Sequence, residues 1–471
     1  MYLIDFKNPV HVHFIGIGGI SMSGLAEILK HAGFSVTGSD RDSSPLTEKL
    51  SSEGIAVAVP QSAENIARFS PIDLIVYTAA VHPDNPEFAE GARREIPMIT
   101  RAELLGQIMK QYEDSVAVAG THGKTTTTSM LSQILVEADR DPTLSIGAMF
   151  PAIGGNLRIG SSGTFVAEAC EYTNSFLSLY PKISIILDIE EDHLDFFKDL
   201  ADIRTSFRRF ASQTAPDGAV VIGSDIEDLP GITAGLPCSR VITFGLEETA
   251  DVRATNIRHD RLTTTFTVHL SDSALPAGST AARDFPVTLH VPGDHNVKNA
   301  LAAIAAALLL GLDDRACARA LERFAGAARR FERLGVVNGV TIIDDYAHHP
   351  TEIRMTLAAA RDLGFKRIWC AFQPHTYTRT KALFSDFAEA LTGADRVVLA
   401  DIYAARETDD LGISSRDLQE KIRNLGHSCD YFPSFSEIRQ FLSENCEEGD
   451  LLIFMGAGEI DKIGFSLLSG E

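Results

Sequence analysis

The stretch that decides the fold reads SVAVAGTHGKTTTT and runs from Ser115 to Thr128. Its first five residues are small or apolar and predict a buried strand, and the glycine-rich turn after them leads into a helix that we expect to end near Ala138. In such a turn, backbone N–H groups converge on phosphate oxygens, while the helix dipole and a lysine add positive charge. The stretch therefore predicts a unit that binds ATP.

The groups predicted to hold ATP belong to this turn and to the start of the helix. They are Gly120, Thr121, His122, Gly123, Lys124, Thr125 and Thr126. We expect Lys124 to contact the phosphates and the Thr125 hydroxyl to coordinate Mg²⁺. Four consecutive threonines are poor helix formers, which favours a use for their hydroxyl groups. The spacing G-x-x-G-K-T is shorter than the general G-x-x-x-x-G-K-[ST], so a glycine turn without a ligand stays open as the alternative.

A second glycine-rich turn lies near the N-terminus, where GIGGIS spans Gly16 to Ser21. It follows the predicted strand Val10 to Ile15, and Asp40 ends the next β-rich run. From Val10 to Thr100 such runs alternate with helical stretches, which predicts βαβ units on a parallel sheet. The turn predicts a diphosphate ligand, but NAD, FAD, a nucleotide sugar and a turn with no ligand all stay open.

Acidic side chains follow two further strands of the central region. Glu168 and Glu171 come after the run near Phe165, and the run near Ile183 leads into DIEEDH, Asp188 to His193. At the carboxyl ends of neighbouring strands these groups would face the crevice that holds the glycine turn, where a Mg-nucleotide needs carboxylate and imidazole ligands. Exposed acidic loop ends are the alternative reading of either cluster.

The last part of the central region predicts an antiparallel ribbon over residues 251–291. A buried helix over about 297–310 and a shorter helix to about 324 are expected to close the domain. His295 and Asn296 precede the buried helix and can hydrogen-bond the edge of a base. Arg330 lies at the next junction, from which an arginine can reach a γ-phosphate as a cleft closes. A helix cap and a solvated basic linker are the alternatives.

Two polar clusters follow strands of the last third of the chain. The run Val340 to Ile343 leads into DDYAHHPTE, Asp344 to Glu352, and the run Arg367 to Ala371 leads into FQPHTYTR, Phe372 to Arg379. Three histidines and an arginine at strand ends suit the orientation of a small polar substrate. A helix cap is the alternative for one cluster alone.

Composition limits the class of protein. A length of 471 residues predicts about three domains, and 45% apolar with 23% charged residues is typical of a globular chain. The net charge of −22 argues against binding of nucleic acid or an anionic membrane surface. Six scattered cysteines without a C-x-x-C pair indicate reduced thiols in the cytoplasm. No export signal is expected, and the longest apolar run, Leu301 to Leu310, is shorter than the roughly 20 residues that span a bilayer.

Taken together, five blocks of the sequence resemble the Mur ligases, the ATP-dependent ligases of peptidoglycan precursor synthesis. They are GIGGISMSG from Gly16, GTHGKTTTT from Gly120, DDYAHHPTE from Asp344, FQPHTYTRT from Phe372, and Gly456 to Gly458. Their order is most similar to the branch that adds the first amino acid. The resemblance covers nearly the whole chain and implies three α/β domains on mainly parallel sheets. These would be a Rossmann-like UDP-substrate domain over 1–106, a P-loop ATPase-like domain over 107–326, and a Rossmann-like amino-acid domain over 327–471.

The resemblance also implies roles for individual residues. The UDP-substrate would be held by Gly16, Gly18, Gly19, Ile20, Ser21, Ser39 and Asp40. His295 and Asn296 would address adenine, Arg330 the phosphates, Thr125 and Glu168 one Mg²⁺, and His193 a second. The amino acid and the reacting carboxyl would be surrounded by Tyr346, His348, His375 and Arg379. The catalytic groups would be Lys124, His193, His348 and Arg379.

The activity implied is ATP-dependent joining of L-alanine to the carboxyl of UDP-N-acetylmuramate through an acyl phosphate, by a cytoplasmic monomer or weak homodimer. A sister ligase that attaches a preformed peptide to the same UDP-sugar is the nearest alternative, because it would use the same residues in the first two domains. An NAD-dependent oxidoreductase built on Gly16 to Ser21 is a remote alternative. The third alternative is a binding protein that is gated by a nucleotide and catalyses no reaction.

Overall fold

The apolar, β-branched runs of the sequence form three separate sheets. A computed structural model describes residues 2–78, 80–275, 278, 281–405, 407–408 and 411–470. Each sheet is mainly parallel and is accompanied by helices, so the predicted three-part α/β fold is confirmed. We refer to the three parts as the N-terminal, central and C-terminal units.

The N-terminal unit contains a five-stranded parallel sheet in the order β3-β2-β1-β4-β5. Its strands are β1 (His11–Ile15), β2 (Ser35–Ser39), β3 (Ala56–Ala58), β4 (Leu74–Tyr77) and β5 (Met98–Thr100). Its helices are α1 (Ile20–His31), α2 (Pro45–Ser52), α3 (Ala63–Arg68), α4 (Pro86–Arg93) and α5 (Arg101–Met109). Strand order reverses beside β1, which places the Gly16–Ser21 turn at the ligand-binding edge of the sheet. β4 ends earlier than the predicted run to Val81, because the chain turns there and Val81 N–H donates to the Thr78 carbonyl.

The central unit contains a ten-stranded sheet in the order β15-β14-β13-β12-β11-β10-β6-β9-β7-β8. Its strands are β6 (Asp114–Ala119), β7 (Thr143–Phe150), β8 (Gly155–Arg158), β9 (Thr164–Glu168), β10 (Ile183–Ile186), β11 (Ala219–Gly223), β12 (Arg240–Gly245), β13 (Val252–Asp260), β14 (Thr263–Leu270) and β15 (Asp284–Leu289). Its α-helices are α6 (Lys124–Glu137), α7 (Leu200–Ala211), α8 (Leu229–Thr233), α9 (Asp294–Leu309) and α10 (Asp314–Glu322). Short 3₁₀ helices span Pro151–Ile153 and Tyr172–Ser178. The predicted antiparallel ribbon is confirmed as β13 to β15, and it extends the same sheet.

The C-terminal unit contains a six-stranded sheet in the order β16-β17-β21-β18-β19-β20. Its strands are β16 (Glu332–Val337), β17 (Val340–Asp345), β18 (Ile368–Phe372), β19 (Arg396–Leu399), β20 (Cys429–Tyr431) and β21 (Leu451–Met455). Its helices are α11 (Pro350–Arg361), α12 (Tyr377–Ala382), α13 (Phe384–Leu391), α14 (Ser415–Asn424), α15 (Phe435–Asn445) and α16 (Asp461–Ser469). Only β16 pairs antiparallel, so the two predicted polar clusters both lie at the carboxyl edge of parallel strands.

Glycine permits the close packing around the central glycine-rich turn, residues 120–123, which is predicted to bind ATP. Gly123 precedes α6 with φ 79°, and a Cβ atom there would lie 2.5 Å from Oδ1 of Asn299 on α9. The alanine-rich face of α9 is buried against α6, so the turn that begins α6 packs directly against α9. A side chain at position 123 would both strain the backbone and displace α9.

The N-terminal and central units share one apolar core, which α5 bridges. A Cβ atom at Gly106 would lie 1.9 Å from the carbonyl oxygen of Ser178, so α5 lies directly on the central unit's backbone. No helix among the described residues is both long and apolar enough to cross a membrane. The six cysteines, all within the described ranges, form no disulfide.

Candidate active site

The ATP-binding turn holds Lys124 at its mouth. The Lys124 Nζ donates to the Thr121 carbonyl at 3.1 Å and to both carboxylate oxygens of Glu171 at 3.1 Å. Burial opposes the charge of the lysine, but the Glu171 carboxylate raises the pKa of Lys124 above its usual range. Lys124 therefore carries a positive charge, and the Glu171 carboxylate is its counter-ion. The lysine lies where it would contact the phosphates of a bound nucleotide.

Three oxygen-bearing or cationic groups meet beside the first turn of α6. Thr125 Oγ1 donates to Glu168 Oε2 at 3.1 Å, and Arg330 Nη2 donates to Thr125 Oγ1 at 3.5 Å. The backbone N–H of Gly147 donates to the other oxygen of Glu168 at 2.6 Å. Burial raises the pKa of Glu168. A half-buried carboxylate beside a hydroxyl is a donor set that suits a hard divalent cation.

His122 in the turn is enclosed by carboxylates of two units. Its backbone N–H donates to Asp188 Oδ1 at 2.9 Å. Its ring lies 3.5 Å from Glu190 Oε2 and 3.2 Å from Glu352 Oε1, the latter on α11 of the C-terminal unit. Burial opposes protonation of the ring, but Glu190 and Glu352 raise the pKa of His122 well above its usual value. The ATP-binding turn is thereby in direct contact with the C-terminal unit.

The segment after β10 carries the other predicted metal ligand. His193 has a positive φ of 53°, and its Nε2 lies 3.9 Å from Glu171 Oε1 and 3.7 Å from Asp192 Oδ2. The ring of Tyr172 lies beside the imidazole, with 4.5 Å between ring centres. Burial lowers the pKa of His193, which favours the neutral imidazole that metals bind. His193 and Lys124 thus share Glu171 as a neighbour.

A cavity of ≈ 350 Å³ separates the central and C-terminal units at this point. It is lined by Tyr172, Asp192, His193, His375, Thr376, Arg379 and Glu407, among others. Arg379 bridges the two units through Asp192, and its Nη1 donates to the His375 carbonyl at 2.9 Å. The cavity has room for a small amino acid and presents both charged and neutral polar groups.

The histidines near this cavity are neutral at physiological pH. Burial lowers the pKa of His348 to about 3 and that of His375 to about 4. Their rings lie 5.9 Å apart, and the Tyr346 ring lies 5.4 Å from that of His348. The predicted amino-acid group of Tyr346, His348, His375 and Arg379 is therefore brought together.

A separate narrow pocket on the other side of the turn contains the residues predicted to address adenine. His295, Asn296 and Arg330 line it together with Gly123 and Thr126. Asn296 is buried and donates to the Pro292 carbonyl at 2.7 Å, while burial lowers the pKa of His295 to about 4. The pocket opens beside the phosphate turn, as a base-binding pocket requires.

The second glycine turn lies in the N-terminal unit, and its residues are partly engaged by the protein. Gly18 N–H donates to Asp40 Oδ2 at 2.7 Å, and Gly16 N–H donates to the Ser39 carbonyl at 2.9 Å. Gly19 precedes α1 without a side-chain cap, and Ile20 and Ser21 form the first turn of α1. The predicted UDP-substrate residues are thus contiguous in space, and the start of α1 beside them has no side-chain cap on its backbone N–H groups.

Sequence reasoning missed the partners that connect these groups. Glu171 and Asp192 were recognised only as members of acidic clusters, and Glu352 only as the end of a polar block. Their partners, Lys124 and Arg379 above all, are distant in the sequence, so no spacing could have revealed the pairs. Arg101, which contacts the N-terminal glycine turn, had no signal in the sequence at all.

Comparison with known proteins gives independent findings. Residues 11–113 match the catalytic domain of the Mur ligase family, residues 118–307 the Mur ligase middle domain, and residues 329–458 the Mur ligase glutamate ligase domain. The chain is 56% identical to the UDP-N-acetylmuramate–L-alanine ligase of Agathobacter rectalis over 469 residues, which cover 99% of this chain and 100% of that one. It is 55% identical to the protein of the same name from Lachnospira eligens, with the same coverage.

Two solved structures are similar over the whole chain. The UDP-N-acetylmuramate-alanine ligase of Thermotoga maritima superposes with a TM-score of 0.79 at 29% identity, covering 98% of both chains. The murein peptide ligase of Psychrobacter arcticus superposes with a TM-score of 0.72 at 27% identity, also covering 98% of both chains. The three-unit architecture and its order along the chain are therefore shared with both proteins.

Proposed function

Because the chain belongs to the Mur ligase family, we propose that it joins L-alanine to the carboxyl of UDP-N-acetylmuramate with cleavage of ATP to ADP and phosphate, in peptidoglycan precursor synthesis. The observation that carries the proposal is the position of Lys124. It lies at the mouth of the ATP-binding turn and shares Glu171 with His193, which lines the cavity between the central and C-terminal units. A γ-phosphate and an amino acid can therefore meet there.

The first step is phosphoryl transfer to the sugar's carboxylate. A carboxylate oxygen attacks the γ-phosphorus, the bond to the β,γ-bridging oxygen breaks, and ADP leaves with that oxygen. Lys124 and Arg330 hold positive charge against the phosphates as negative charge moves to ADP. The ATP-binding residues are proposed to be Gly120, Thr121, His122, Gly123, Lys124, Thr125, Thr126, His295, Asn296 and Arg330.

The donor atoms present fit Mg²⁺, which prefers oxygen ligands. Thr125 Oγ1 and the Glu168 carboxylate lie 3.1 Å apart beside the phosphate turn, and we propose that they hold one ion while His193 holds a second. When bound, the ions neutralise charge on the phosphate oxygens. Glu168 is half-buried, so its negative charge is most stable when a cation accompanies the nucleotide.

The second step forms the amide. The neutral L-alanine amine attacks the acyl carbon, and the bond from that carbon to the phosphate oxygen breaks. Phosphate leaves with one of the original carboxyl oxygens, and the nitrogen gives up one proton to the departing phosphate. Neutral His348 donates from Nδ1 to the Tyr346 carbonyl, so its Nε2 can accept a hydrogen bond from the amine. His375 Nδ1 accepts from Arg379 and so helps to position the guanidinium, which supplies charge to the amino acid's carboxylate or to the departing phosphate. Tyr346 completes this proposed site. The proximity of the bound reactants and the stabilisation of charge account for the rate acceleration, and no nucleophile of the protein takes part.

The remaining assignments concern the UDP-sugar site, the domain boundaries, the cellular location and the oligomeric state. We propose that the UDP-sugar is held by Gly16, Gly18, Gly19, Ile20, Ser21, Ser39 and Asp40, at the edge of the N-terminal sheet. We also propose domain boundaries after residues 106 and 326, a cytoplasmic location, and a monomer or weak homodimer that binds no nucleic acid or membrane. The acidic charge of the chain supports the last point.

Oxygen transfer from substrate to phosphate tests the acyl phosphate. UDP-N-acetylmuramate labelled with ¹⁸O in its carboxyl is incubated with the protein, ATP, Mg²⁺ and L-alanine, and the released phosphate is analysed by mass spectrometry. One ¹⁸O atom per phosphate is expected for each amide formed from doubly labelled carboxyl. Unlabelled phosphate accompanying amide formation would contradict the proposal.

A further inference from the structure

His122, Glu190 and His349 lie together where the central and C-terminal units meet. One ring nitrogen of each histidine and one carboxylate oxygen of Glu190 are within 4.8 Å of one another. The two imidazole rings lie side by side, with 4.8 Å between their centres. His122 belongs to the ATP-binding turn, Glu190 to the segment after β10, and His349 is the N-cap of α11. The proposed ligase reaction assigns no role to Glu190 or His349.

The His122 ring presents an unused nitrogen to this cluster. The residue is only 5% exposed, and its Nδ1 lies 3.2 Å from Glu352 Oε1. Its Nε2 faces Glu190 Oε2 at 3.5 Å and makes no hydrogen bond to any of the described residues. A metal-bound histidine typically has a carboxylate or a carbonyl on its other ring nitrogen, which fixes the ring. His122 is therefore already oriented as a ligand, with Nε2 toward the ion.

The other two side chains are also oriented by groups of the protein. His349 Nε2 donates to the Glu191 carbonyl at 3.0 Å, and its Nδ1 accepts from the Thr351 N–H at 3.3 Å. Nδ1 is consequently the basic nitrogen of this ring, and an ion there would replace the longer of the two contacts. Glu190 Oε2 accepts from the Thr351 hydroxyl at 2.6 Å. The Glu190 side chain is 39% exposed, so an ion can reach it from solvent.

The charges around the cluster favour a cation. Asp188 Oδ1 accepts from the backbone N–H of His122 at 2.9 Å, and Glu352 lies on the other side of the ring from Glu190. Three carboxylates thus surround one imidazole. A divalent ion balances more of this negative charge than a proton on Nε2, which it would replace.

We propose that His122, Glu190 and His349 bind one transition-metal ion of the Zn²⁺ type, which joins the ATP-binding turn to α11. Two imidazoles and a carboxylate, with water in the fourth position, form a known tetrahedral set for Zn²⁺. Small side-chain rotations must bring the ligands closer, because Zn²⁺ binds such atoms at about 2.0 to 2.2 Å. Mg²⁺ prefers oxygen ligands, such as those proposed at Thr125 and Glu168. The site does not depend on the proposed ligase reaction.

Competition with a chromophoric Zn²⁺ chelator tests the site, with the full-length protein in excess Mg²⁺ and without nucleotide. Wild type is expected to bind one tight equivalent of Zn²⁺. His349→Asn and Glu190→Gln should each weaken its binding at least about 100-fold, because even the loss of a group behind a ligand costs about 10- to 100-fold. Asparagine is a favourable N-cap and glutamine can still accept from Thr351, so both variants should keep the local fold.

The matched control is His259→Asn, which removes an exposed histidine that pairs with Asp294 at 2.9 Å, away from the cluster. It is expected to bind Zn²⁺ as wild type does. His193→Asn removes the ligand proposed for the second Mg²⁺ and should also keep the tight equivalent. Zinc X-ray absorption of the wild-type protein should show two imidazole ligands. Thermal melting of each variant without Zn²⁺ checks that the fold is intact.

Each result decides for or against the site. Loss of the tight equivalent in both His349→Asn and Glu190→Gln, with both other variants unchanged, would support it. Wild type without tight Zn²⁺ binding, or unchanged affinity in either of these two variants, would overturn it. Loss in His193→Asn would assign the ion to that histidine and would also overturn it. A protein that binds Zn²⁺ as expected but makes no amide would refute the proposed function alone.

Discussion

Arg379 of the C-terminal unit donates two hydrogen bonds to the carboxylate of Asp192 in the central unit, from Nε at 2.9 Å and from Nη2 at 3.3 Å. The side chains are only 9% and 8% exposed. Burial opposes ionisation of Asp192, but the guanidinium of Arg379 holds the pKa of that carboxyl far below its usual range. The pair therefore stabilises the closed arrangement in which the cavity between the two units is formed.

Removing one half of this pair should impair the reaction more than the fold. We expect Asp192→Asn to lower kcat/KM for L-alanine by about 10- to 100-fold, because Arg379 loses the charge that orients it and the cavity opens. Steady-state kinetics with L-alanine as the varied substrate measures this effect. The guanidinium of Arg379 also loses its partner at a site that is only 9% exposed, so the melting temperature should fall as well, by a few degrees.

The matched control is Asp386→Asn in the exposed pair between Arg354 and Asp386 on the C-terminal unit. Exposed pairs contribute little, so kinetics close to wild type are expected. If Asp192→Asn also retained wild-type kcat/KM, the ion pair would have no role in forming the amino-acid site.

Glu171 should stabilise the protein chiefly when no nucleotide is bound. Its carboxylate is 4% exposed and pairs with Lys124, so Glu171→Gln leaves a lysine charge without its partner. We expect the free energy of unfolding of the central unit to fall by roughly 1 to 3 kcal/mol. A non-hydrolysable ATP analogue should reduce this deficit, because its phosphates replace the missing negative charge.

Differential scanning calorimetry with and without the analogue measures both effects. Asp114→Asn is the control, since Asp114 forms a half-exposed pair with Lys182 in the same unit. A deficit in Glu171→Gln that the analogue left unchanged would show that Lys124 does not meet the phosphates.

Asp344 makes stability depend on pH in a defined direction. Burial, followed by the carboxylates of Asp461 and Asp345, raises its pKa to about 7, although Arg329 lowers it through a 3.1 Å hydrogen bond. The folded state therefore keeps the proton more tightly than the unfolded chain. The stability that this group contributes is complete below about pH 4 and is lost as the pH rises through about 7.

The comparison that isolates this effect is between wild type and Asp344→Asn. The melting temperature of wild type relative to the variant should fall by a few degrees between pH 4 and pH 8, because only the aspartate ionises. A difference that stayed constant, or grew with pH, would mean that Asp344 is already ionised throughout this range.

The fold could be predicted from the sequence because its signals are local. Apolar runs such as Leu451 to Met455 form strands with the predicted bounds, and the alanine-rich segment before Leu310 forms the buried helix α9. The two glycine turns were predicted to lie between a strand and a helix, and they precede α1 and α6 in the structure. The sequence pattern also predicted the antiparallel ribbon, because apolar and polar residues alternate there with no helical segment between the strands.

The pairing of side chains between units could not be predicted from the sequence. His122 meets Glu352, and Asp192 meets Arg379, only because the C-terminal unit folds back over the ATP-binding turn. Sequence motifs predicted the groups that are proposed to react, whereas the charged side chains that contact them became visible only in three dimensions.

The central claim is best tested by measuring ADP release and amide product together, with ATP, Mg²⁺ and UDP-N-acetylmuramate present and the amino component varied. Wild type should form one amide per ADP with L-alanine, and far less with a preformed tripeptide or without any amine. Lys124→Ala should lower the rate at least about 100-fold, whereas the exposed-lysine control Lys366→Ala should not. Efficient joining of the tripeptide but not of L-alanine, or amide formation without ATP, would contradict the account.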